Sequence, residues 1–405
     1  MSKNIINNRN FIFLWFGHLI SHAGDAIYVI ALPWLILDMT GSKMQTALVV
    51  VNAYLPAIIF GFFAGVIVDK YNRKNIMIVS DIMRFLLVAL IPVAISLKFA
   101  TPVLLGIITF FLSMFATLFY PARDCLIPSI INSDQLHSAN AAITLSGQLS
   151  HLLGPLFAGI CISIFGLTHL FSVNAISFLF SIIMISLISI PNKEKFINSS
   201  ISHIEGIKQT FNYIKNNQII KRLISLTFIN NIFIMGPAFL GIAVFVKEIL
   251  KAEIVIYAYL ESSMAMGMII GSIIFRQIAR YFRLINIFFL GMVIDGVTFS
   301  LLYFVNNTYL AIFVLFIHGL GIPFIIIART TLIQILVPDN MRGRIFAMIY
   351  LAVMGTTAIS IGLVGLFLEY INSSLLFLIF GICAACCVII GLALEEFRNL
   401  KYRIN

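Results

Sequence analysis

Charge is what this sequence has least of. Asp, Glu, Lys and Arg together supply 10% of its 405 residues, against roughly 25% in an average soluble domain. So thin a polar inventory excludes a protein wetted on every side. Long polar stretches are also scarce. The longest, residues 191–222, is too short for a separate soluble domain. A nucleotide-binding domain has no room, and no G-x-x-x-x-G-K-[ST] phosphate loop occurs, so ATP is not expected as the direct energy source. Cysteine is limited to Cys125, Cys161, Cys383, Cys386 and Cys387. The last three have no His or carboxylate beside them, so neither a metal site nor a cofactor is expected. No acid, His or Cys cluster has the look of a catalytic centre, which argues against an enzyme.

Apolar side chains fill the space that charge leaves, at 61% of the chain and a mean hydropathy of +1.05. They come in continuous runs. Strands of a membrane barrel would alternate polar and apolar, so the runs predict helices, each needing about 20 residues to cross a bilayer. Twelve such segments are predicted, at 11–37, 44–68, 76–97, 102–120, 141–165, 168–190, 223–246, 255–275, 284–305, 308–328, 345–368 and 373–394. The first is too long for the core of a cleavable signal. The fold class is all-α membrane protein, with an N-terminal half over 1–190, a linker over 191–222 and a C-terminal half over 223–405.

The net charge of +10 comes from loops rather than from a nucleic-acid surface, so no nucleic-acid partner is expected. Twenty-one Lys and Arg fall on the side of the N-terminus and four, Lys43, Lys98, Lys247 and Lys251, on the other. This asymmetry predicts cytoplasmic termini in a cell inner (plasma) membrane. In the linker, Ile201, Ile204, Ile207, Phe211 and Ile214 share one helical face, with Lys208 and Lys215 between them. That pattern predicts an amphipathic helix on the lipids of the inner leaflet.

A shift of 206 residues superposes landmarks of the two halves: Gly61 on Gly267, Gly65 on Gly271, Ala122-Arg123 on Ala328-Arg329, Gly159 on Gly365. Two six-helix halves related by duplication are a transporter design, with the site near the midplane.

Local motifs sharpen this. Gly65-Val66-Ile67-Val68-Asp69-Lys70-Tyr71-Asn72-Arg73-Lys74 resembles the major facilitator signature G-x-x-x-D-[RK]-x-G-[RK]-[RK] between helices two and three. Gly65 would permit close helix approach. Asn72 stands where the family has Gly, and Asn tolerates a left-handed turn. The resemblance implies a cytoplasmic latch in which Asp69, with Arg73 and Lys74 in its turn, faces Arg342 or Arg344 of Pro338-Asp339-Asn340-Met341-Arg342-Gly343-Arg344. Ser150-His151-Leu152-Leu153-Gly154-Pro155-Leu156-Phe157-Ala158-Gly159 resembles the same superfamily's antiporter motif, which goes with exporters; its core here is Gly154, Pro155 and Gly159.

Gly24-Asp25-Ala26, Ala31-Leu32-Pro33, Thr40-Gly41-Ser42, Tyr120-Pro121-Ala122-Arg123, Leu136 with Ala139-Asn140, and Arg342-Gly343-Arg344 are similar to the macrolide-efflux and enterobactin-exporter branch. The resemblance implies a proton-coupled secondary transporter exporting an amphipathic small molecule by alternating access, as a monomer. A siderophore or lysophospholipid transporter of the same fold is the first alternative. A channel or non-transporting receptor is the second.

Ionisable residues inside lipid are costly and must be neutral, paired or wetted. Asp25 lies about 21 Å along helix one. His18 and His22 precede it on nearly the same face. Proton binding by this trio and a purely structural acid are the two readings. Glu261, about 9 Å into helix eight, either shares the coupling, binds a cationic substrate, or reaches water. Asn230, Asn231, His318 and His151 are candidate substrate-cavity contacts. Asp295 is expected to pair within the scaffold, and Asp81 with Arg84 to pair and snorkel near a helix end.

Overall fold

The computed structural model describes residues 8–131, 135–189 and 203–398. The helices are α1 (Arg9–Thr40), α2 (Lys43–Val51), α3 (Leu55–Lys70), α4 (Arg73–Ser96), α5 (Pro102–Ile130), α6 (Leu136–Phe165), α7 (Leu167–Ser186) and α8 (His203–Asn216). They continue as α9 (Gln218–Gly236), α10 (Ile242–Glu248), α11 (Ile254–Ile278), α12 (Leu284–Leu301), α13 (Thr308–Leu336), α14 (Asp339–Leu368), α15 (Ser373–Ala393) and α16 (Glu395–Arg398). The chain divides into two compact units, Met1–Ser199 and Ser200–Asn405.

Among the described residues, eleven helical stretches are long and apolar enough to cross a membrane. The 30-residue α6, apolar over Leu153–Phe165, brings the total to the twelve expected. Two spans are compound. One runs through α2 and α3, which part at Asn52–Tyr54; Pro56, in the first turn of α3, has no N–H to give the Asn52 carbonyl and its ring would clash there. The other is α9, a π-helical turn at Pro237–Gly241, and α10. Outward faces carry Leu86, Val103, Ile107, Ile273 and Phe313, as lipid-facing surfaces should.

Helix starts follow capping chemistry. Asn8, Ser42, Asn72, Thr101, Asn217, Asn307 and Asn372 each accept a hydrogen bond from a backbone N–H in the first turn of the helix that follows. Asn72 thereby corrects its sequence reading. Its φ of −62° is extended, not left-handed, and its Oδ1 takes the Asn75 N–H at 3.0 Å. The residue stands there as a cap. Gly41 does take the left-handed conformation, with φ 65°, and closes α1.

Helix ends depart further from expectation. α5 runs to Ile130 and α13 to Leu336, well past the predicted 120 and 328. Hydropathy marks where lipid ends, and a helix need not stop there.

The linker helix α8 is docked on the second unit. Tyr213 and Ile214 pack on the core formed by Ile220, Leu223, Leu332 and Ile345, and Tyr213 Oη donates to the Leu336 carbonyl at 3.3 Å. Of the predicted apolar face, Phe211 is 60% exposed while Ile214 turns to protein. Ile201 and the side chains of Ile204 and Ile207 lie outside the described residues. A cavity of about 520 Å³ opens where α8 meets α14, lined by Gln209, Asn212, Tyr213, Asn216, Met341 and Arg344.

One contact fixes the compound span of the second unit. In a regular helix the Gly236 N–H would bond the Ile232 carbonyl. Here Ser360 of α14 stands between them. Its Oγ accepts from Gly236 N at 2.6 Å and donates to Ile232 O at 2.5 Å. Pro237 follows, with no N–H to give, and the π turn begins. Ser360→Ala leaves two buried backbone groups unpaired. It is expected to cost about 1–3 kcal/mol, read as a lower melting temperature of the purified protein.

Candidate functional site

The first unit is organised around α1, which packs between α6 and α7. Close approach is required on both sides. A Cβ on Gly24 would strike Ser177 Oγ and Asn174 Oδ1 of α7, and one on Gly154 would strike Ala26 Cβ. Trp15 Nε1 donates to the Ala142 carbonyl at 3.0 Å, and Ser150 Oγ to the Leu19 carbonyl at 3.3 Å. The buried Gly154-Pro155 pair of α6 therefore abuts the stretch of α1 that carries Asp25.

Asp25 is not alone. Arg84 Nη2 of α4 donates to Asp25 Oδ2 at 2.5 Å, and Arg84 Nη1 to Asp81 Oδ1 at 3.0 Å. Tyr120 Oη of α5 reaches Asp25 Oδ2 at 3.5 Å. The guanidinium lies 4.1 Å from the Phe178 ring centroid and 5.6 Å from that of Phe119. Arg84 and Asp81 pair as expected, but they do not snorkel. Side-chain exposure is 2% for Arg84, 0% for Asp81 and 23% for Asp25. Arg84 stays inside because a second carboxylate, on a neighbouring helix, gives it a partner there. Asp25 is thus the member of the trio with an open edge.

The two histidines are placed differently from each other. Arg123 Nη1 lies 2.9 Å from His18 Nε2. A guanidinium can only donate, so Nε2 accepts and the ring proton sits on Nδ1. Arg123 also bonds Asp124, at 2.8 and 2.6 Å. His22 packs edge-on against His18, with ring centroids 5.3 Å apart, and both rings flank Tyr120. Asp25, His18 and His22 share one neighbourhood, as predicted. The direct partner of Asp25 is Arg84, which the sequence reading left out of the site. The available signal was Arg84's standing as the one basic residue inside a predicted segment.

In the second unit, Asn230 and His318 come together around Asp295. The Asn230 side chain lies beside the Asp295 carboxylate. His318 Nδ1 lies 3.7 Å from Asp295 Oδ1 and 2.9 Å from Thr298 Oγ1. Its ring stacks on Phe299 at 4.3 Å and 7°. His318 is 1% exposed and Asp295 3%. The pairing expected for Asp295 is incomplete: His318, read as a cavity contact, stays beyond hydrogen-bond reach of Asp295 Oδ1, which has no hydrogen-bond partner among the described residues. Asn231 is buried nearby on α9. Glu261 is half-buried on α11, seven residues from the helix start, with no hydrogen bond or ion pair among the described residues.

The latch residues also have local partners. Arg73 Nη1 donates to the Cys125 carbonyl at 3.1 Å and Ser129 Oγ at 3.3 Å. Lys74 Nζ donates to the carbonyls of Ser186 and Ile188, at 2.9 and 2.8 Å. Lys74 thus binds the end of α7, where helix carbonyls lack partners, and Arg73 ties to the last turns of α5. Arg344 Nη1 donates to Gln209 Oε1 of α8 at 3.3 Å. The side chains of Asp69, Arg342 and His151 lie outside the described residues. Gly65 does not make the close approach expected of it to any described residue: none of their heavy atoms stands within 4 Å of where its Cβ would be. Its repeat counterpart Gly271 does, against the Leu320 backbone of α13.

Comparison with known proteins agrees with this architecture. The chain is 23% identical over 401 residues to macrolide efflux protein A of Streptococcus pyogenes, covering 97% of this chain and 98% of that one. It is 22% identical over 366 residues to the multidrug efflux pump Tap of Mycolicibacterium fortuitum, covering 88% and 87%. Among solved structures, an inward-facing bacterial homologue of the iron transporter ferroportin shares the fold. Its TM-score is 0.78 at 15% identity, over 97% of this chain and 100% of the other. The sequence profile of the family described as transmembrane secretion effector matches residues 4–402. With that match spanning every helix described above, the chain belongs to this family of major facilitator superfamily transporters.

Proposed function

We propose that this multi-pass membrane transporter exports amphipathic small molecules of macrolide or drug type in exchange for protons. It would work as a monomer by alternating access in the inner (plasma) membrane, with both termini in the cytoplasm. The observation that carries the proton assignment is Asp25: a carboxylate deep in a spanning helix, paired with a buried arginine and 23% exposed. A carboxylate so placed can be reached by a proton, and its protonation state changes the tie between α1 and α4. A ligand or proton shifts a conformational equilibrium only through such a difference between states. Glu261 is a second acid within a span and lacks a protein partner among the described residues. It suits a proton or a cationic group of the substrate. The efflux relatives support the substrate class and the outward direction.

The test uses proteoliposomes with an acidic lumen. Erythromycin and ethidium, offered outside, are expected to accumulate against their gradients. Asp25→Asn should reduce accumulation to the level of protein-free liposomes and leave equilibrium exchange of the same compound intact. Accumulation that ignores the pH gradient, or that survives Asp25→Asn, overturns the coupling.

A further inference from the structure

The charge sum around Asp25 gives Asp81 a task. With Asp25, Asp81 and Arg84 all ionised, the trio carries −1; with Asp25 protonated, it carries none. Without Asp81 the same protonation would leave Arg84 as an unpaired cation, 2% exposed and held against Phe178 and Phe119. An unpaired buried charge is the costly case.

We propose that Asp81 is the fixed counter-charge that allows Asp25 to take up a proton, by keeping the Arg84 guanidinium paired when Asp25 is neutral. The inference rests on the reading of Asp25 as the proton site and deepens it. Asp81 suits the task by position. It stands one turn before Arg84 on the same helix, so its bond survives any shift of α1. It is sealed from solvent, whereas Asp25 has an edge that a proton arriving from water can reach. Proton uptake then releases α1 from α4 without exposing a charge. Asp81 is a positioning residue: it acts through Arg84.

Other groups near the trio leave this balance in place. From α1 come His18, whose Nε2 faces Arg123, and His22. From α5 come Tyr120 and Arg123, the latter paired with Asp124. α7 presents Asn174, Ser177 and Ser181, none of them charged, with Ser181 beside Asp81. From α6, Ser150 is bound to the Leu19 carbonyl.

The experiment is a pH titration of the whole protein in lipid nanodiscs, followed by infrared difference spectroscopy of the protonated carboxyl band. In the parent protein, a band that Asp25→Asn removes reports Asp25. Asp81→Asn should move its midpoint down by about two pH units, while Asp81→Glu keeps it. The double variant Asp81→Asn/Arg84→Met, which has no buried cation, should move the midpoint above the parent value, and it serves even where the single variant does not fold. A midpoint unmoved by Asp81→Asn, or a double variant titrating below the parent, overturns the role of Asp81 alone. A parent spectrum with no band sensitive to Asp25→Asn overturns the proton-site reading and this inference with it.

Discussion

Arg84→Met is expected to destabilise the protein by roughly 3–5 kcal/mol, the largest loss for any single polar substitution in the first unit. The arginine bonds two carboxylates on two helices, and its removal leaves both facing each other with no cation among the hydrogen-bond partners of either. Asp81 is wholly buried and cannot turn to water. The triple variant Asp25→Asn/Asp81→Asn/Arg84→Met removes all three charges at once. It is expected to recover most of the lost stability, because a buried ion-pair network and a neutral replacement of similar volume are often close in free energy. Methionine would occupy the space between Phe119 and Phe178 with favourable sulfur–ring contact. Thermal unfolding of the detergent-purified single and triple variants makes the comparison. If Arg84→Met melts with the parent, Arg84 is not the keystone of the cluster. A stable triple variant that no longer responds to a pH gradient would separate the functional use of these charges from their structural one.

Gly154→Ala is the second large effect. The added methyl would stand against Ala26 Cβ and 3.4 Å from the Ala23 carbonyl. One of the two helices must move, at an expected cost of about 1–3 kcal/mol. Since Ala23 and Ala26 bracket Asp25, the shift also draws Asp25 from Arg84, so coupling should weaken with stability. The compensating change Ala26→Gly reopens the space. Gly154→Ala/Ala26→Gly is expected to regain both melting temperature and pH-driven transport. If the double variant is no better than the single one, the collision is not the cause.

The two substitutions mark where sequence reasoning reached and where it stopped. Hydropathy located the spans because lipid imposes a length on every one of them. It missed the ends of α5 and α13, since the bilayer edge and the helix end are different events. The break at Pro237 was visible as a residue, but the turn depends on Ser360, 124 positions from Gly236. Motif resemblance brought Gly154-Pro155 and Asp25 forward separately; that they touch the same stretch of α1 is a tertiary fact. Asp25 drew attention as a charge in lipid, and Arg84 was assigned to its own helix because i,i+3 pairing is the contact a sequence displays. The bond that matters joins positions 59 apart. His18 and His22 were grouped with Asp25 by helical spacing. Arg123 takes up His18 from another helix and leaves the group uneven.

The Ser360 contact bears on how the second unit can move. A helix ordinarily keeps its own backbone bonds while it slides or tilts against a neighbour. Here one rung of α9 is completed by a side chain of α14, through two bonds to the same hydroxyl. Sliding one helix past the other by the length of a hydrogen bond would break both at once, and no water lies in lipid to replace them. α9 and α14 therefore travel as a single beam, and rearrangement within this unit falls to the helices around it.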